Sequence, residues 1–233
     1  MIPSVVSLVP SVTETLLSWG VVPVGVTRFC EQPELPAMGG TKNPDLGRIV
    51  AARPDLVILD REENRRPDAE ALAAAGIDLY VTQVRSLADV GPTLVALREV
   101  LGLGEVGKGS AVFAPVPAES CLRVYVPIWR RPWMSISGAT YASTLLEAAG
   151  AANVLAGHPD PYPSVPLDRV AALGPDVVLA PSEPYPFGPR HAPLFAEVAP
   201  MVPVDGKDLF WWGARTPAAL GRLRELVATM SAR

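Results

Sequence analysis

The chain has 233 residues, room for one large domain or for two of roughly 100–150 residues each. Apolar residues make up 49% and the mean hydropathy is +0.25, so a sizeable core is available, yet no apolar run reaches the roughly 18–20 residues of a membrane-spanning helix. A net charge of −4 argues against nucleic acid as the main partner, because neutralising phosphates takes clustered Lys and Arg and the one basic cluster, WRRPW at 129–133, is short.

The opening MIPSVVSLVP has neither a basic segment nor a long apolar stretch before a small-residue cleavage site, so it does not read as a secretory signal. A cytoplasmic location follows for the chain as written, and a periplasmic or extracellular one if the true start lies upstream. SVVSLV (4–9) reads as a strand, and SVTE after it as a capping box with Ser11 as N-cap and Glu14 at the third helical position. That helix stops at Gly20, and VPVGV (22–26) is the next strand. Asn43, with Pro44 at the first helical position, opens a helix through Ala52, and PDLVIL (54–59) is a strand apolar on both faces, as a parallel sheet requires. DAEALAAAG is a helix, 77–82 a strand, and Ser86 with Asp89 starts another helix. The second half repeats the scheme: a strand over 121–128, a helix over 140–150, a helix from Ser164 through Ala172, strands at 175–180 and 202–204, and a closing helix from Thr216 to Met230. The 26 prolines fall mostly at the junctions and read as rigid loops.

Strands alternating with helices at this spacing imply a parallel α/β sheet. RIVAARPDLVIL (48–59) is echoed by RVAALGPDVVLA (169–180), and ETLLSWG (14–20) by STLLEAAG (143–150). The expected fold is therefore α/β, with two Rossmann-like lobes whose parallel sheets face a cleft. The lobes are placed at 1–85 and 121–233, with an interlobe helix and linker at 86–120. Ligands of such folds lie beyond the carboxyl ends of the strands.

Catalytic motifs are scarce. GLGEVG (102–107) has the spelling of a dinucleotide loop but follows a helix; a Walker A sequence and a GxSxG elbow are both missing. Two histidines, His158 and His191, cannot build a three-histidine metal site, and both lie in proline-rich stretches that read as exposed loops. No metal site and no catalytic residue is assigned. Cys30, in the loop after the second strand, is the one thiol placed to act in a cleft; Cys121 opens a strand. REENRRPD (61–68) reads either as a solvated loop or as an acidic docking point. Aromatics say more: Trp129, Trp133, Tyr162, Tyr185, Phe187, Phe210, Trp211 and Trp212 all fall in or beside loops that follow strands. Such rings either grip a large flat ligand or plug a junction; the ligand reading is favoured for Tyr162 and the Trp211–Trp212 pair.

SLVPSVTETLLSWGVVPVGVTRFCEQPE followed by GGTKNPDLGRIVAARPDLVIL resembles the helical-backbone metal receptor superfamily, the class III substrate-binding proteins of ABC importers for vitamin B12, haem and ferric siderophores. The similarity is greatest to the vitamin B12-binding branch, with its Ser-x-x-Pro-Ser-x-Thr-Glu start and Pro-Asp-Leu-Val unit, and it continues through YPSVPLDRVAALGPDVVLA. The resemblance implies two α/β lobes joined by a helix, a ligand held by aromatic contact, and no chemistry performed on it. By position it implies ligand contacts at Phe29, Thr41, Trp133, Tyr162 and Trp211 or Trp212, and permease docking at Asp168. The family's first-lobe docking glutamate falls on Arg66, with Glu62 and Glu63 beside it, and a family tryptophan is replaced by Asp60. The linker, carrying Pro115 and Pro117, is shorter than the family's.

The function expected is thus non-catalytic binding of a metal chelate, a corrinoid before a ferric siderophore or haem, with no covalently bound cofactor and an ABC permease as partner. A cytoplasmic cofactor chaperone or sensor of the same fold is the alternative. An enzyme recruiting Cys30, Glu14 or Asp60 is a further one.

Overall fold

The computed structural model describes residues 2–104 and 121–231; most of the expected linker, with Pro115 and Pro117, lies outside the described residues. Two compact units divide the chain, one of residues 2–84, 89–104 and 212–214, the other of 85–88, 121–211 and 215–231.

The first unit is a four-stranded parallel sheet in the order β2-β1-β3-β4, built from β1 (Val5–Ser7), β2 (Gly25–Val26), β3 (Leu56–Asp60) and β4 (Asp78–Thr82). Helices α1 (Pro10–Ser18), α2 (Leu46–Ala52) and α3 (Arg66–Ala74) form the crossovers, and α4 (Leu87–Val100) follows β4. β3 is buried at all five positions, the continuous apolar run that a strand covered on both faces demands. Its side chains Val57 and Leu59 meet Ile49 of α2 and Leu72 of α3 in one cluster.

The second unit has its own parallel sheet, β10-β9-β5-β8, from β5 (Leu122–Tyr125), β8 (Ala151–Asn153), β9 (Val177–Pro181) and β10 (Met201–Val204). Helices α5 (Tyr141–Ala148), α6 (Leu167–Ala172), α7 (Gly206–Phe210) and α8 (Thr216–Ser231) accompany it, with a 3-10 turn at Pro189–Phe195. Listed from its β8 edge, this sheet has the same strand order as the first, each unit's second strand outside its first. The expected α/β class with doubled parallel sheets is what the chain adopts.

The sequence echo has a physical cause. In the first unit the Asp55 carboxylate accepts from the backbone N–H of Ser4 at 2.7 Å, while the Asp55 N–H donates to the Ser4 carbonyl at 2.9 Å. In the second, Asp176 and Arg123 make the same reciprocal pair at 2.8 Å each way. Each Pro-Asp thus fastens the entrance of the third strand to that of the first. The bonds hold the Asp55 carboxyl below the usual carboxylate range.

The same echo sets a pair of helix ends against each other. α2 closes on Arg53, in the left-handed region at φ 47°, where the second unit's matching position is Gly174 at φ 61°. A side chain with a Cβ is strained there, and a glycine is not. Arg53 is exposed, so Arg53→Gly is expected to raise stability by about 0.5–1 kcal/mol, read as a higher urea midpoint, and Gly174→Ala to lower it similarly.

Several expected boundaries move. α1 starts at Pro10 with Val9 as N-cap, so Ser11 lies inside the helix and its buried hydroxyl has no hydrogen-bond partner among the described residues. α2 is capped by Asp45, whose carboxylate accepts from Arg48 N–H at 3.0 Å, and not by Asn43. α6 begins after Pro166, and Ser164 instead bridges to Met134. The stretch expected as one strand over 121–128 breaks at Val126, and β6 (Pro127–Arg130) turns through Arg131-Pro132 into antiparallel β7 (Trp133–Ser135). α5, by contrast, has the expected start, with Thr140 as its N-cap.

Candidate functional site

Parallel strands deliver their carboxyl ends to one edge of each sheet, and the residues expected to bind ligand lie in the loops leaving those edges. In the first unit a single side chain organises the edge. Asn64 donates from Nδ2 to the carbonyls of Leu8 (3.2 Å) and Thr41 (3.0 Å), and its Oδ1 accepts from Asp60 N–H at 2.8 Å. Three loops are tied by one amide. Asp60 is buried, accepting from Thr82 Oγ1 at 2.8 Å and from Glu62 N–H at 2.8 Å. Lys42 Nζ donates to the Glu62 carbonyl.

Phe29 and Thr41 lie close together on this edge. Phe29 is 49% exposed, with the Arg28 guanidinium 4.9 Å from its ring centroid. Its ring lies over Gly40, where an added Cβ would come within 3.1 Å of it, and Thr41 follows directly, half-buried. Glu62 is exposed and Glu63 half-buried on the turn after β3.

Burial pushes the Asp60 carboxyl up, against the bonds from Glu62 N–H and Thr82. An acid whose folded pKa lies above its unfolded value costs stability above the folded pKa, and that cost disappears as pH falls through the unfolded value of about 3.9. Asp60→Asn, which keeps an acceptor and removes the charge, is therefore expected to be more stable than the parent at pH 7, with the advantage shrinking as pH drops toward 4. Urea midpoints of both proteins across that range check it; a pH-independent difference contradicts it.

The residues expected of an enzyme are differently placed. Cys30 is 3% exposed, its sulfur 3.2 Å from both Thr13 Oγ1 and Thr27 Oγ1, and burial pushes its thiol up, away from the thiolate a nucleophile needs. Cys30 and Cys121 are both free thiols. Among the described residues no three His, Cys, Asp or Glu side chains gather as a metal site.

The second unit's edge is aromatic. Trp133 of β7 lies nearly parallel to Phe187, 13° between planes and 6.3 Å between centroids, and tilts against Phe195 at 5.4 Å. Tyr185 touches Trp129 (5.5 Å), Phe187 (4.7 Å) and His191 (5.6 Å). His191 is buried, its Nδ1 accepting from Gly188 N–H at 3.0 Å, which corrects the expectation of an exposed loop histidine. The ring cluster around it draws the imidazole in, and the Gly188 bond satisfies it. His158 is half-buried and accepts from Asp160 N–H.

Two of the expected contact residues share a ladder here. Ser137 N–H donates to Pro161 O, Ser135 N–H to Pro163 O and Val165 N–H to Trp133 O, so the stretch that carries Tyr162 runs alongside β7. Tyr162 is half-buried, its N–H donating to Asp160 Oδ1 at 3.0 Å. Between the β6–β7 turn (Arg130–Trp133) and residues 164–166 lies an open pocket of about 450 Å³.

Trp211 ends α7, half-buried, and donates from Nε1 to Glu183 Oε1 at 2.6 Å. Lys207 Nζ (5.0 Å) and Arg215 Cζ (5.5 Å) stand over its ring. Glu183 can come this near because Gly206 has no side chain: a Cβ there would lie 2.6 Å from Glu183 N and 2.8 Å from Glu183 O. Neither residue stood out in the sequence, since nothing local marks a contact made across 28 positions. Trp212 is counted with the first unit and is 5% exposed, so it has little surface left for a ligand. Asp168 is exposed in the first turn of α6.

The chain is similar in sequence to the vitamin B12-binding protein of Vibrio campbellii, 24% identical over 226 residues that take in 89% of this chain and 79% of that one. Its fold matches the periplasmic vitamin B12 binding protein of Vibrio cholerae at a TM-score of 0.81, with 19% identity over 99% of this chain and 98% of that one. It also matches a periplasmic heme binding protein from Pseudomonas aeruginosa at 0.78, with 20% identity over 97% and 93%. No family model matches the chain. The fold is that of these periplasmic binding proteins, and the resemblance read from the sequence agrees with the names of the relatives.

Proposed function

We propose that this protein binds a metal chelate without acting on it chemically, a corrinoid in preference to a ferric siderophore or haem, as the substrate-binding component of an ABC importer. One observation carries the reading: the sequence similarity to a protein named for vitamin B12 takes in 89% of the chain. Phe29, Trp133, Tyr162 and Trp211 keep part of their surface uncovered, with Thr41 beside Phe29, and flat rings on anchored loops bury ligand area at little entropic cost. The chelate brings its metal inside its own ligand, so the protein supplies contact and no coordination. Trp212 is the weakest of the six proposed contacts because it is already buried. Glu62, Glu63 and Asp168 are proposed to dock on an ABC permease as acidic points, and the periplasmic relatives favour a periplasmic or extracellular location. Among the described residues, no helix is long and apolar enough to cross a membrane.

The test is a titration with cyanocobalamin at micromolar protein, following both the corrinoid absorbance and tryptophan fluorescence. Saturable one-to-one quenching is expected, weakened at least tenfold by Trp211→Ala. Absence of any spectral change in the parent protein rejects the reading.

A further inference from the structure

The pocket beside β7 has a feature that aromatic contact does not need. Its wall includes Arg130 and Arg131, and neither has an ion-pair or hydrogen-bond partner for its guanidinium among the described residues. Ser164, Val165 and Pro166 also line it, with Trp133 as its aromatic wall. Trp133 packs on Phe187 and Phe195 and still borders the pocket, so its ring is held in a fixed plane beside two unsatisfied cations. Arg215 and Arg222, by contrast, close on Asp208, and Arg65 on Asp68. Two arginines of the same short turn left without a carboxylate, on the rim of a pocket with one aromatic wall, are matched by a planar ligand that carries an anionic arm.

We propose that this pocket receives an anionic substituent of the bound chelate, a carboxylate or a phosphodiester, with Arg130 and Arg131 as the residues that select for it. The inference rests on the chelate-binding reading above. The planar guanidinium fork pairs with either oxyanion through two parallel N–H···O bonds, and Trp133 sets the plane of the attached ring system.

Two ligand pairs separate the sources of the anion. Haemin and its dimethyl ester differ in their carboxylates; cyanocobalamin and dicyanocobinamide differ in the nucleotide arm that carries the phosphodiester. Titrations of the parent protein, read by tryptophan fluorescence, are expected to show one pair discriminated by on the order of ten- to a hundredfold in Kd in favour of the acidic member. Arg130→Gln/Arg131→Gln is expected to lower that discrimination to within about twofold while leaving the affinity for the neutral member and the far-UV circular dichroism unchanged; Arg130→Lys/Arg131→Lys retains part of it. If the parent binds both members of each pair equally, the anion site is wrong and the chelate reading stands. If the glutamine variant still discriminates, the anion is held elsewhere and the inference fails. If the parent binds no member of either pair, both readings fall together.

Discussion

Gly206→Ala is expected to destabilise the protein by about 2–4 kcal/mol. The new Cβ would overlap Glu183 Cγ and sit 2.6 Å and 2.8 Å from the backbone nitrogen and oxygen of the same residue. Backbone atoms cannot rotate out of the way as a side-chain tip can, so either the 182–187 loop or the start of α7 has to shift. Both outcomes part Glu183 from the Trp211 indole, and Gly206 N–H from Ser182 Oγ, now 2.9 Å apart. The variant is therefore expected to lose cyanocobalamin affinity along with stability, and to show a changed tryptophan emission before any ligand is added. An unchanged urea midpoint would mean that the approach of Gly206 to Glu183 is looser than described.

Asp208→Ala is expected to cost about 2–3 kcal/mol and to lower Tm by about 5–10 °C. Asp208 is 5% exposed and accepts from Arg222 twice, at 2.6 Å to each oxygen, and from Arg215 at 2.9 Å. These bonds join α7 to α8. Removing the carboxylate takes from the partly buried Arg215 its bond to Asp208, whereas Arg222 can turn into water; the loss is accordingly below that of a fully buried pair. The Arg222 hydrogen bond, with the charges of Arg222 and Arg215, holds the Asp208 carboxyl below the usual carboxylate range. A group with a lowered folded pKa stabilises fully above its unfolded value, and that contribution is lost as pH falls through the folded one. The stability gap between parent and Asp208→Ala is thus expected to be constant from pH 7 to about 5 and to close below about 4. A gap that persists unchanged at pH 3 would show that the charge is not its source. Far-UV melting curves at those pH values decide it.

The architecture was legible because it was written twice. Pro54-Asp55 and Pro175-Asp176 make the same strand-to-strand fastening, and apolar runs such as 56–59 have few homes outside a sheet covered on both faces. Helix starts were less legible. Ser11, Asn43 and Ser164 each looked like a cap, but the backbone starts its helices by where a fixed proline φ already fits, at Pro10 and after Pro166, or by which carboxylate reaches an open N–H, at Asp45. The β6–β7 hairpin was read as a continuation of β5 because Val126, Pro127 and Ile128 keep the apolar run going through the turn.

For the site, the sequence places eight aromatics in or beside loops that follow strands but does not mark which of them pack on one another. Tyr185 and Phe187 lie in the loop after β9, as surface residues would, yet Phe187 is buried against Tyr185 and Phe195, while Trp129 of β6 touches Tyr185 and stays 45% exposed, because segments returning to a common sheet edge can bury some of their rings mutually. No periodicity encodes that choice. Polar organisers were equally hidden: Asn64 and Glu183 act on residues 23 and 28 positions away, which only the folded chain brings near. The cluster WRRPW is too short for nucleic acid, yet its arginines border a pocket in which neither guanidinium has a partner among the described residues.

The most direct measurement is native mass spectrometry of the protein after incubation with an equimolar mixture of cyanocobalamin and haemin followed by desalting. A single added mass of one cyanocobalamin, stable to exchange and diminished in Trp211→Ala, is the expected spectrum. A bare chain under the same conditions, or a population carrying haemin alone, contradicts the assignment of this protein to corrinoid binding.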